Sequence, residues 1–182
     1  MACDLTNGRA EVCKESVGGI QGVYFLNYQS GSFDKTAGSA GIDPEINDLT
    51  GVTVYYYELK GTSAYTETVN SSRESGTTFF SQELTLNLKK LTNEMSTQLK
   101  LLAWGRPQII VWTNNGQAFL VGEQHGADLS AGTIQTGAAL GDLYGYSITM
   151  TGEEPLPATF LNGATAADAF AGLVGPPTII SS

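Results

Sequence analysis

Chemistry near neutral pH needs a group that exchanges protons there, or a nucleophile held by a partner, and histidine and cysteine are the usual candidates. The chain of 182 residues has one histidine and two cysteines. His125 lies in Glu123-Gln124-His125-Gly126-Ala127-Asp128, with Ser130 close behind. A triad is assembled in space rather than in sequence, and a loop histidine that is solvated or hydrogen-bonded accounts for the same residues. Glu153 and Glu154 adjoin, and consecutive strand residues point to opposite faces, which makes them a poor acid/base pair. Asp43, Glu45 and Asp48 lack the Gly and the terminal Glu of an EF-hand loop and read as a turn of solvated acids. Cys3 and Cys13 have no second cysteine pair near them, so neither a zinc site nor a CxxC redox motif is supported. They read as reduced thiols, or as a disulfide if the protein matures outside the cell. Neither GxGxxG nor a GxxxxGK phosphate loop occurs, and the Gly-rich run from Gly132 to Gly141 precedes a strand rather than opening a helix. Tyr55, Tyr56 and Tyr57 have no interleaved Arg or Lys, and they read as a strand packed on both faces rather than as a stacking platform. The expectation is therefore no enzymatic activity, no cofactor and no metal.

Composition points the same way. Nine Lys and Arg against eighteen Asp and Glu give a formal charge of −9, which opposes binding to phosphates or anionic membranes. Specific nucleic-acid recognition and a membrane partner are not expected. The same sign suits a surface that DNA must pass without sticking. Charged residues make up 15% of the chain, below the roughly 25% usual for soluble domains, which suggests that part of the surface is covered. No segment reaches the ~18 apolar residues of a membrane span. The start, Met1-Ala2-Cys3-Asp4-Leu5-Thr6, lacks the basic and then apolar pattern of a secretory signal, so synthesis in a cytoplasm is expected.

The elements that would position any site are mostly strands, because 22 glycines and abundant Thr and Ser favour turns and pleats over long helices. Residues 1–17 show no sustained period and read as an arm. Gly18 to Tyr28 is the first strand, Ser30 to Gly41 a loop, and Val52 to Leu59 a strand with Val52, Val54 and Tyr56 on one face and Thr53, Tyr55 and Tyr57 on the other. Ser63 to Ser72 and Thr77 to Leu88 flank Arg73-Glu74-Ser75-Gly76 and predict a long hairpin. Its first arm is too poor in apolar residues to bury much surface, so it projects, while Leu84, Leu86 and Leu88 rejoin the core. Thr92 or Asn93 caps a helix whose Met95, Leu99 and Leu102 share one face, ended by Gly105 and Pro107. Asn114-Asn115-Gly116 joins two more strands, Gln108 to Thr113 and Gln117 to Gly122. Residues 123–143 are loop-like with a short strand near Gly132 to Thr136, and Tyr144 to Thr151 is the last core strand. From 153 onward a small apolar arm carries Phe160 and Phe170, and it either docks on a neighbouring subunit or wraps its own domain.

From the helix onward the order is capped helix, WGRPQIIVW, NNG, QAFLVG, a Gly-rich loop and GDLYGYSITMTGEEPLPA. Over roughly Val52 to Pro157 this resembles bacteriophage tail tube and tail hub proteins. The resemblance implies a β-sandwich or barrel with one flanking α-helix and a long hairpin, and the N-terminal segment with Cys3 and Cys13 has no counterpart in it. Together with the reading of the elements this gives a mainly β (α+β) domain over 18–152 with a long projecting hairpin, an N-terminal arm (1–17) and a C-terminal arm (153–182). It implies a virion structural protein whose hairpin joins neighbours in rings, usually of six, that stack around a channel. The partners would be copies of itself and other tail or neck proteins, with DNA as passing cargo. On this reading Tyr65, Val69, Arg73, Phe79, Phe80, Phe160 and Phe170 lie at the subunit interface. A hub or neck ring of a short-tailed phage and a carbohydrate-binding β-sandwich are the alternatives.

Overall fold

A computed structural model describes residues 8–9, 14–31, 33–37 and 43–181. In chain order its strands are β1 (Ile20–Leu26), β2 (Asp34–Lys35), β3 (Ile46–Asp48), β4 (Thr53–Glu58), β5 (Ala64–Ser72) and β6 (Thr77–Lys89). After the helix α1 (Asn93–Trp104) come β7 (Gln108–Thr113), β8 (Ala118–Val121), β9 (Asp128–Gln135), β10 (Gly145–Glu154), β11 (Thr159–Phe160) and β12 (Thr178–Ile180). The fold is mainly β with one helix. Cys3 and Cys13 lie outside the described residues.

Strand alternation explains the layering. A six-stranded sheet has the order β11-β8-β7-β1-β4-β12, and its inner strands are apolar on both faces. Val23 and Phe25 of β1, with Ile109 and Val111 of β7, point into one core. Tyr24, Leu26, Ile110 and Trp112, the residues in between, point into a second core on the opposite face. Such runs of buried residues mark a sheet covered on both sides. The first core is closed by a four-stranded antiparallel sheet, β5-β6-β10-β9, which contributes Leu84, Leu86, Leu88, Tyr146, Ile148 and Met150. The alternation expected for β4 follows from the same geometry, with Val54 and Tyr56 in the second core and Tyr57 against the first.

The second core is covered mostly by the C-terminal segment, which settles the choice between docking and wrapping. β11 adds to β8 at one edge of the six-stranded sheet and β12 pairs in parallel with β4 at the other. Between them the chain crosses the sheet as a strap. Asn162 N donates to Ile46 O, Trp112 Nε1 to Thr165 O at 2.9 Å, and Val174 N to Asn47 O. Phe170 packs edge-on to Tyr24, with centroids 4.8 Å apart. The expected start of an arm at 153 falls inside β10, because the inward alternation of that strand continues to Glu154.

The hairpin of β5 and β6 forms as expected, with Ala64 opposite Thr85 and Ser72 opposite Thr77. Its turn needs Gly76, at φ 64°, in the left-handed region that glycine enters at little cost. The Asn-Asn-Gly turn is met by Gly116 at φ 82°. In α1, Thr92 accepts from Met95 N as N-cap, and Met95, Leu99 and Leu102 face the first core. Their depth is less than a core helix would have, since no residue of α1 is fully buried. The helix packs beside β9, the edge strand of the four-stranded sheet.

Stability measurements should reflect this. Leu86→Ala, at a fully buried site, should cost about 2–5 kcal/mol, and Phe170→Ala about 3–5 kcal/mol. Leu99→Ala at the half-buried helix face should cost less than half as much as Leu86→Ala. Denaturant unfolding of the three variants checks the order, and a Phe170→Ala protein as stable as the parent would show that the strap is no part of the core.

Candidate assembly surface

The residues expected at an interface separate into three groups. Beyond the Phe80–Glu154 pair, β6 has no partner except β5, so the end of the hairpin is a two-stranded ribbon. Val69 is 59% exposed and Phe79 37%. Phe80 is half-buried and Arg73 exposed in the turn. These four are gathered at one end of the molecule. Tyr65 and Phe160 belong to an aromatic row instead. Tyr65 lies 4.8 Å from Phe119, and Phe119 lies 5.8 Å from Phe160. The Tyr65 hydroxyl is buried without a hydrogen-bond partner, and burial, then the Glu67 carboxylate, push its pKa up. Phe160 remains partly exposed. Phe170 is 4% exposed and packs against Tyr24 of its own domain, which leaves little of the ring for a neighbour.

The groups with chemical potential are engaged with one another. Glu154 is buried, and its Oε1 accepts from Gln124 N at 2.9 Å and His125 N at 2.8 Å, while Oε2 lies 3.2 Å from His125 Nδ1. The His125 side chain is 62% exposed. Ser130 is turned away and donates to Thr149 O at 3.1 Å, so no triad forms. Glu123 is held by Lys35 at 2.6 Å and by the Thr159 hydroxyl at 2.5 Å. Gln82, also buried, accepts from Gly122 N and donates to Glu67. The cleft these residues line with Leu156 and Pro157 holds about 10 Å³, room for about one water and none for a substrate. It is a structural polar cluster that ties β10, the β8–β9 loop and the start of the strap together. Glu153 points outward and Glu154 inward, as expected for adjacent strand residues. Asp48 of the acidic 43–48 stretch has its pKa lowered by hydrogen bonding with the Thr50 side chain and then with Thr50 N, which donates to it. No group of acids, His or Cys among the described residues is arranged to hold a metal.

What the geometry leaves unsatisfied is backbone. The edges of the six-stranded sheet are occupied by strands of two and three residues, short edges of the kind that resist further pairing. The four-stranded sheet ends instead in β5, nine residues, and β9, eight residues. Neither has a partner on its outer side among the described residues. Registers place Thr66 and Thr68 of β5, Ser81, Glu83 and Thr85 of β6, Ser147, Thr149 and Thr151 of β10 and Thr133 of β9 on the outer face. Glu83 and Asp128 flank Thr151, with Glu153 two residues along β10. The face is thus hydroxyl-rich with a band of acids across it, and its only Lys is Lys89 at one end.

No family model, curated protein or solved structure matches this chain. Tyr56 and Tyr57 are half-buried in the two cores, which leaves only Tyr55 of that run exposed and removes a stacking platform.

The buried tyrosines give a pH test. Burial, then the charges of Tyr56 and Asp168, raise the Tyr24 pKa from 10.0 to about 12; Tyr56 and Tyr57 are also raised, first by burial. A raised folded-state pKa gives stability that is present below pH 10 and is lost as pH climbs toward about 12, because the unfolded phenol releases its proton first. Melting temperature should therefore fall over that window, and Tyr24→Phe should fall less steeply. An identical slope in the two proteins would remove Tyr24 from the alkaline transition.

Proposed function

We propose that this chain is a structural subunit of a bacteriophage tail tube, assembling with copies of itself into rings that stack around a channel for DNA. One observation carries the reading: the four-stranded sheet has two long unpaired edges and an outer face of hydroxyls and acids. An unpaired edge is a template for another strand. Within the sheet all neighbours are antiparallel, so β5 and β9 run in opposite directions. β5 of one copy set beside β9 of the next continues an antiparallel sheet by a head-to-tail contact, and such contacts close into rings.

A ring of six, the number usual in the resemblance, would leave a bore. Four strands per copy give about 24 strands, and at about 4.8 Å per strand the circumference is about 115 Å, or roughly 37 Å across before strand tilt widens it. Three copies would give about half that, which side chains would fill. With the outer face of the sheet turned to the bore, the hydroxyls and the acids around Thr151 meet the passing phosphates and offer no counterion-releasing contact. The ribbon with exposed Val69 and Phe79 and half-buried Phe80 then meets the neighbouring subunit.

Deleting Val69–Gly76 tests this. The first core, centred on Leu84, Leu86 and Ile148, is untouched. The expected outcome is a folded monomer by circular dichroism and melting that no longer forms the rings seen for the parent by sedimentation and negative-stain electron microscopy. A folded variant with normal rings removes the hairpin from the mechanism, and a parent that stays monomeric at high concentration overturns the reading.

A further inference from the structure

The two open edges of the four-stranded sheet are displaced from each other along the strands. Ala64 at the start of β5 lies opposite Thr85, whereas Gln135 at the end of β9 lies in line, through Gly145, with Lys89. Thr85 and Lys89 are four residues apart on β6, so the edges are offset by four. Val69 and Leu129 show the same offset, one opposite Phe80 and the other in line, through Met150, with Leu84. Set side by side without a shift, β5 of one copy and β9 of another would share only three pairs, from Ala64 opposite Ala131 to Thr66 opposite Asp128. A shift of four residues per copy gives seven, from Ala64 opposite Gln135 to Asn70 opposite Asp128. Four residues of about 3.3 Å over four strands about 4.8 Å apart make a strand tilt of about 35°, the tilt at which sheets close into barrels.

The side chains that this shift brings together sort by face. Ile134 pairs with the buried Tyr146 and so lies on the core side of the sheet, yet it is 60% exposed. The shift puts Tyr65 opposite it, an aromatic against a β-branched residue, a pairing that stabilises sheets. Val69, also on the core side and also exposed, comes opposite half-buried Leu129. Between these pairs Glu67, whose Oε1 accepts from Gln82 Nε2 and Ala158 N, comes opposite Gly132. A glycine inside a strand packs nothing and often marks the close approach of another backbone. Its own domain does not require it, since a Cβ at 132 would meet only Ile148 and Leu129, at ordinary distances of 3.6 and 3.9 Å. On the outer face Thr66 meets Thr133 and Thr68 meets Ala131, which continues the hydroxyl surface across the seam. Other shifts fit less well. A shift of two leaves Ile134 uncovered, a shift of six sets the Glu67 carboxylate against it, and an odd shift opposes core-facing to outward-facing residues.

We propose that copies of this chain join with β5 of one set against β9 of the next at a stagger of four residues, Tyr65 beside Ile134 and Val69 beside Leu129 on the core side. The inference rests on the ring reading and adds to it the register of the seam, and with it the tilt of the strands around the channel.

Paired cysteines read the register. Residues directly opposite each other on neighbouring strands have Cβ atoms about 4.5–5.5 Å apart, close to disulfide range. Thr66 and Thr133 stand on opposite edges of one sheet, so a bond between them forms only between copies. After assembly and mild oxidation, the Thr66→Cys, Thr133→Cys protein should run without reductant as a ladder of linked chains. The natural chain and each single-cysteine variant control for linkage through Cys3 or Cys13. Thr68→Cys with Thr133→Cys and Thr66→Cys with Ala131→Cys, which report staggers of six and two, should link only in traces. Ile134→Asp, at a site exposed in the single chain, should melt as the parent does and fail to assemble. Stronger linkage in either alternative pair, or normal assembly of Ile134→Asp, overturns the stagger and leaves the ring reading intact. Linkage as strong in Thr66→Cys alone puts a different contact at that edge and overturns the pairing, as do rings under the electron microscope with no linkage in any pair. A parent that forms no rings removes the ring reading, and this inference with it.

Discussion

A strand edge carries a row of amides and carbonyls that water, another strand or nothing must satisfy, and this molecule treats its two sheets unequally in that respect. The six-stranded sheet is finished by the chain itself, with β11 and β12 set against β8 and β4. Among the described residues the four-stranded sheet is left open at β5 and β9. A domain able to close one sheet so fully, yet leaving nine- and eight-residue edges on the other, has its unsatisfied backbone concentrated where a neighbour can add to it.

The rest of the architecture serves to keep that open sheet rigid. The central sheet is buried on both faces, so the four-stranded sheet rests on a support that cannot flex without disturbing a second core behind it. The strap holds that second core through Phe170 on Tyr24 and Trp112 on Thr165. Glu154 and Gln82, both buried, fasten the open sheet to the β8–β9 loop by hydrogen bonds from its backbone. Losing Gln82 as an acceptor would leave the buried Gly122 N unpaired, at about 1–3 kcal/mol.

Much of this was legible in the sequence because it is written in local periods and turn residues. The Leu84-Leu86-Leu88 alternation, the Met95-Leu99-Leu102 face, the Arg73–Gly76 turn and the Asn-Asn-Gly hairpin each depend on a few consecutive residues, and each forms where expected. The destination of the C-terminal segment was not legible, because strands of two and three residues carry no period and Phe170 gives no sign in sequence of the Tyr24 it will meet. Glu154 was missed for a different reason. It lies on the inward series of Tyr146, Ile148 and Met150, and continuing that alternation two positions past Gly152 would have placed an acid in the interior. The adjacency of Glu153 and Glu154 drew attention to their pairing instead of their faces. The long edges are a property of topology, so the sequence named the hairpin residues without showing that β9 is open as well.

Hydrogen exchange resolved along the chain, with the protein compared before and after assembly, tests the central claim most directly. The account predicts new protection of backbone amides in β5 and β9, with little change in β11 and β12, whose sheet is already closed. Assembly that leaves β5 and β9 exchanging as they do in the monomer would contradict it, because the subunits would then be joined by something other than the open edges of the four-stranded sheet.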